Sequence, residues 1–82
     1  MPPLMSLKVY LDIASYHCLW EYLSSEQMLR SCLSKSVMLL GNTRVFECDE
    51  MQVRELLVIA RNHCPLAVRK IKEAMVMARG TL

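Results

Sequence analysis

The stretch from Asp49 to Ala78 constrains the chain most, because it reads as two helices joined at His63-Cys64-Pro65 with both starts marked. Asp49 stands where an N-cap accepts an amide hydrogen bond, and Gln52 stands three residues on, where its side chain can reach back to the cap. Pro65 suits the first turn of a second helix, whose early N–H groups have no internal partner. Gly80, just past Arg79, leaves the right-handed helical region at low steric cost. Val53, Leu56, Leu57, Ala60 and Cys64 share one side of the first helix, with Ile59 beside them. In the second helix Ala67, Ile71, Ala74 and Ala78 form a narrow seam flanked by Val68 and Met75.

The first half of the chain carries two competing periods. Leu4, Leu7, Leu11, Ala14, Cys18 and Tyr22 recur as one side of a helix, whereas Leu7, Val9, Leu11 and Ile13 alternate with Lys8, Tyr10 and Asp12 as in a half-buried strand. The apolar pattern continues through Trp20 and Leu23 with no strong turn signal, which favours one helix from Leu4 to Leu23. Ser24 with Gln27 fits a second capping box. Leu29, Cys32, Leu33, Val37 and Leu40 then line one side of a helix running from Ser25 to Leu40. Gly41-Asn42 ends that helix, and Thr43 to Cys48 has the residues of a brief extended segment.

The expected fold is therefore all-α, a compact bundle of four short helices at Leu4 to Leu23, Ser25 to Leu40, Glu50 to His63 and Pro65 to Arg79. The alternative is an α+β domain with a two-stranded pairing of residues 7–13 and 43–48. Either way, residues 1–82 read as one small domain with residues 1–3 as a flexible leader.

A chain of 82 residues with 54% hydrophobic side chains and seven methionines has more apolar surface than one small core can enclose. The excess points to a homo-oligomer, most simply a homodimer, or to a protein partner. Val76 and Met77, which point around the last helix, are interface candidates together with Met75 and Val58. Adaptable methionine-rich helix faces suit a non-enzymatic interaction module, an adaptor or a small regulatory subunit.

Charge supports a second reading. The formal net charge is +2, and the basic excess is confined to residues 51–82. Arg61, Arg69, Lys70, Lys72 and Arg79 beside the Pro65 joint could contact nucleic acid phosphates. The turn is short for a helix-turn-helix, and Arg69 and Glu73 are spaced to pair with each other.

The four cysteines, at 18, 32, 48 and 64, read as free thiols in a cytoplasmic protein, because no secretory signal precedes them. No run is long enough for a membrane span. His17-Cys18 and His63-Cys64 carry zinc-type ligands, but adjacent residues on a helix diverge by about 100 degrees. No metal, cofactor or small-molecule substrate is expected from this pattern, nor a catalytic role for Cys64, which lacks an orienting third group. Glu47, Asp49 and Glu50 read as a capping cluster at a helix start.

The run Ile59 to Lys72, with Pro65-Leu66-Ala67-Val68 followed by Lys70 and Lys72, resembles a helical segment of enoyl-CoA hydratase-like proteins. In that family the segment lies beyond the acyl-CoA and oxyanion-binding core. That glycine-rich core has no counterpart in this chain, and the resemblance implies no catalytic residue here.

Overall fold

A computed structural model describes residues 6–23 and 28–78. The fold is α+β, not a helical bundle. In chain order it comprises β1 (Ser6–Asp12), α1 (Ile13–Glu21), α2 (Met28–Ser34), β2 (Val37–Leu39), β3 (Thr43–Asp49), α3 (Glu50–His63), a single 3-10 turn (Pro65–Ala67) and α4 (Val68–Ala78). The three strands form one antiparallel sheet in the order β1-β3-β2.

The first correction concerns Leu4 to Leu23, which is not one helix. Leu7, Val9 and Leu11 are buried while Ser6, Lys8 and Asp12 are exposed, the two-residue alternation of a strand with one wet face. Pairing decides the competition. Val9 lies opposite Phe46 and Leu7 opposite Cys48, so β3 supplies backbone partners that an isolated segment would lack. The chain then passes from strand to helix at Asp12, without a loop. The alternative pairing of residues 7–13 with 43–48 is close to the observed β1 and β3, but it omits a third strand.

That third strand is the second correction. The helix expected from Ser25 to Leu40 ends at Ser34. The amides of Lys35 and Ser36 turn back to the carbonyls of Cys32 and Leu33 at 3.4 and 3.1 Å, closing the helix in a tight turn. Val37 and Leu39 then pair with Val45 and Thr43 of β3. Gly41 and Asn42, with φ of 80° and 69°, make the connection. Two successive left-handed residues fold the chain back tightly, which Gly and Asn do at low cost. The Ser24–Gln27 capping box, the leader at residues 1–3, Arg79 and Gly80 lie outside the described residues.

The second half follows its sequence signals. The Asp49 carboxylate accepts from the Gln52 amide at 2.8 Å, and the Asp49 amide donates to the Gln52 side-chain oxygen at 2.9 Å. Val53, Leu56, Leu57 and Ala60 of α3 are buried, as are Ala67, Ile71 and Ala74 after the joint. All helices contribute to one core on one face of the sheet, against Leu7, Val9, Leu11, Phe46 and Cys48. The result is a two-layer sandwich in which no element among the described residues covers the other sheet face.

Two disulfides tie the helical layer down, so the free-thiol reading is also corrected. Cys18 of α1 is bonded to Cys64 at the joint, and Cys32 of α2 is bonded to Cys48 of β3. Their Cα separations of 6.1 and 5.5 Å lie in the usual bridging range. All four cysteines are accounted for.

Candidate functional site

The uncovered face of the sheet is built from the residues that alternate with the core set. Tyr10, Val45 and Val37 form one row across all three strands, and Asp12, Thr43 and Leu39 form the next. Lys8 and Glu47 lie opposite each other above them. A groove of about 400 Å³ runs over this face, bordered by Lys35, Lys8 and Glu47 and floored by Tyr10, Val37, Leu39 and Val45. Its chemistry is an apolar strip with a charged rim of both signs.

The two margins of the sheet differ. α4 packs along β1, whereas the principal neighbour of β2 is β3. The free edge of β2 carries no proline and no charged residue between Val37 and Leu40. Val37, Met38, Leu39 and Leu40 are 59, 44, 41 and 100% exposed. Met51, Val58 and Leu66 are exposed as separated positions and Val76 and Met77 as an adjacent pair on α4, so Val37 to Leu40 is the longest exposed apolar run among the described residues.

β2 is held from its core side. The Tyr16 hydroxyl donates to the Leu33 carbonyl at 2.6 Å, the Ser36 hydroxyl donates to the Tyr16 oxygen at 3.0 Å, and Arg44 Nη1 donates to the Ser36 hydroxyl at 2.7 Å. The Arg44 guanidinium also sits 5.0 Å from the Tyr16 ring centroid. Ser36 precedes β2 and Arg44 lies opposite Met38, so this chain of contacts fixes where the strand begins and which way it faces. The aromatic contacts continue inward, with Tyr16 edge-on to Phe46 at 6.0 Å and to Trp20 at 6.4 Å.

Of the helix-face candidates, Val76 and Met77 line one shallow cleft on α4, whereas Val58 lies on α3. Val58 on α3 is 56% exposed, Val76 and Met77 on α4 are 56 and 68% exposed, and Met75 is partly buried against the core. Met77 alone adjoins the sheet groove: with Ala74 it lines a cleft whose other wall includes Lys8 and Tyr10. Tyr10, Val37, Leu39 and Val45 were not among the sequence candidates. The helical period had absorbed Val37 into the wrong element, and only the strand assignment puts the four side chains on one face.

Among the described residues two of the basic candidates, Arg69 and Lys70, share an acidic neighbour. Arg61, Arg69, Lys70 and Lys72 are exposed, but Glu73 lies 3.6 Å from Arg69 and 3.4 Å from Lys70. Such exposed pairs add little stability, yet they place a carboxylate within the surface a phosphate would have to approach.

The thiol and imidazole pairs meet only in part. Cys18 and Cys64 come together as a disulfide, and the His63 ring stacks on Tyr22 with centroids 3.9 Å apart. His17 instead meets the edge of Tyr16. No group of three or more His, Cys, Asp or Glu side chains is arranged for a metal among the described residues. A cleft of about 270 Å³ beside the disulfide is lined by Asp12, Ser15 and His63, but no hydrogen bond links these three side chains as a Ser-His-Asp relay would require. Among the described residues no helix is long and apolar enough to cross a membrane.

Comparison with protein-family models, curated proteins and solved structures found no match to this chain.

Proposed function

We propose that the domain is a protein-interaction module that docks through the open face of its sheet and the free edge of β2. The observation that carries this reading is the run Val37 to Leu40, four consecutive exposed apolar residues on the unshielded margin of the sheet. A bare edge strand presents backbone donors and acceptors, and it can take another strand by adding to the ladder. The apolar strip of Tyr10, Val45, Val37 and Leu39 supplies side-chain contact beside that ladder, and the rim of Lys8, Lys35 and Glu47 supplies selectivity.

This relocates the interaction surface from the helix faces to the sheet, leaving Met77 as its outlying member on the β1 side. Duplex binding by the last helices has less support, because Glu73 lies within ion-pair distance of both Arg69 and Lys70. The cytoplasmic expectation, and the free thiols that follow from it, rest on the lack of a visible secretory signal. With both pairs bonded, an oxidising compartment is the better setting for the folded form.

Photo-crosslinking residues placed singly at Val37 and Val58 test the reading. The expected result is a saturable, defined-mass protein adduct from position 37 that Met38→Lys suppresses, with only diffuse labelling from position 58. Equal adducts at both positions, or none at position 37, would overturn it.

A further inference from the structure

We propose that the partner at the β2 edge is a second copy of this chain, paired antiparallel about a two-fold axis passing close to Met38. This rests on the reading of β2 as a docking edge and names its occupant. Two three-stranded sheets would thereby become one six-stranded sheet, with β2 of each copy at the centre.

Three features favour a self-pairing that stops at two. Among the described residues each molecule offers one open margin, since α4 lies along β1 while the principal neighbour of β2 is β3. An edge that pairs with its own copy gives a closed, isologous contact, whereas two open edges would allow a growing ribbon. Symmetric pairing at Met38 also sets Val37 opposite Leu39 of the second copy and Met38 opposite its own counterpart. Every facing pair in the strand is then apolar, and Val37 and Leu39 from both copies extend the row already formed with Val45 and Thr43.

Charge leaves this register unopposed. Lys35 is the nearest ionised residue before the strand and would lie beside Gly41 of the second copy, which keeps the two Lys35 side chains about 20 Å apart along the strands. Arg44, opposite Met38 on β3, is engaged by Ser36 and Tyr16 of its own chain. The contact is small. Two short edges with their side chains fall in the class of transient interfaces, below about 1,200 Å² in total, so dissociation is expected on the order of 10–100 μM.

The test is sedimentation velocity on the oxidised full chain from a few micromolar to about 1 mM, comparing the native protein with Met38→Lys, Met38→Glu and Val58→Lys. Far-UV circular dichroism checks that each variant is folded. The native chain and Val58→Lys should shift reversibly from monomer to dimer. Each Met38 variant alone should dimerise at least about tenfold more weakly, because like charges would face each other at the axis. An equimolar mixture of Met38→Lys and Met38→Glu should recover the dimer, since residue 38 would then face its opposite charge. Dimers that survive in both Met38 variants, or a mixture that fails to recover, would overturn the proposed pairing. A native chain that stays monomeric would refute self-pairing while leaving the module reading intact if position 37 still gives a saturable adduct with another protein. A monomer with no adduct at position 37 would remove both.

Discussion

The two margins of the sheet are finished differently. Along β1, α4 lays Ile71 and Ala74 into the core, and the disulfide from Cys18 to Cys64 fastens α1 to the joint from which α4 starts. Along β2 the chain turns at Gly41-Asn42 and leaves apolar side chains in water. One margin is built for stability, and the other trades burial for access. A small sheet with two bare edges would invite open-ended association, and one with two covered edges would have no strand to offer. Covering one edge alone would confine strand pairing to a single margin of the sheet.

This contrast makes graded predictions. The largest effect should come from cutting the tie beside the covered margin. Replacing Cys18 and Cys64 together by alanine should cost about 4 kcal/mol in non-reducing urea unfolding, from the loop entropy of a bridge with a sequence separation of 46. The same treatment of Cys32 and Cys48, whose separation is 16, should cost about 3 kcal/mol. A reversed order would mean that the longer loop does not hold the β1 side together.

Ile71→Ala, at a fully buried position under α4, should cost about 2–5 kcal/mol by loss of transfer energy and creation of a cavity. Thermal unfolding would expose the error if this variant were as stable as the native chain. Asp49→Ala removes the capping box that starts α3 and should cost about 1 kcal/mol. Its effect on urea midpoint should therefore fall well below that of Ile71→Ala. At the open margin Met38→Lys should change monomer stability by no more than about 1 kcal/mol, because it disturbs little packing and its main cost is the like charge of Arg44 opposite it on β3. A loss as large as that of Ile71→Ala would show that β2 is part of the fold's foundation and would erase the contrast.

Legibility in the sequence follows the same division. α3 can be read from Asp49 and Gln52, because capping chemistry is local, whereas Pro65, expected to start the last helix, opens a 3-10 turn and α4 itself begins at Val68. Leu7 to Ile13 was ambiguous for a physical reason: its residues satisfy both periods, and the strand wins only through pairing with residues 43–49, which are distant in sequence. Val37 to Leu40 reads, from the sequence alone, as the end of a helix. An uninterrupted apolar run has no alternation to betray a strand, and two of its members fell in phase with the preceding helix. Gly41-Asn42 was recognised as a helix stop, although the β-branched Thr43 and Val45 after it also suit a hairpin return.

The disulfides were beyond reach for a related reason. Four cysteines permit three pairings, and only the packing of α1 on the joint and α2 on β3 selects one. The candidate surface was hidden by the same step. Once β2 is a strand, Val37 and Leu39 join Tyr10 and Val45 on one face; as a helix they would have been separated.

Amide hydrogen exchange at low and high protein concentration gives the most direct test, because it reports on both margins at once. The account predicts that the amides of β2 directed away from β3 exchange fast when dilute and slow markedly as concentration rises, while those already bonded to β3, and β1 beneath α4, change little. Concentration-dependent protection on α4 around Val76 and Met77, with β2 unchanged, would contradict it.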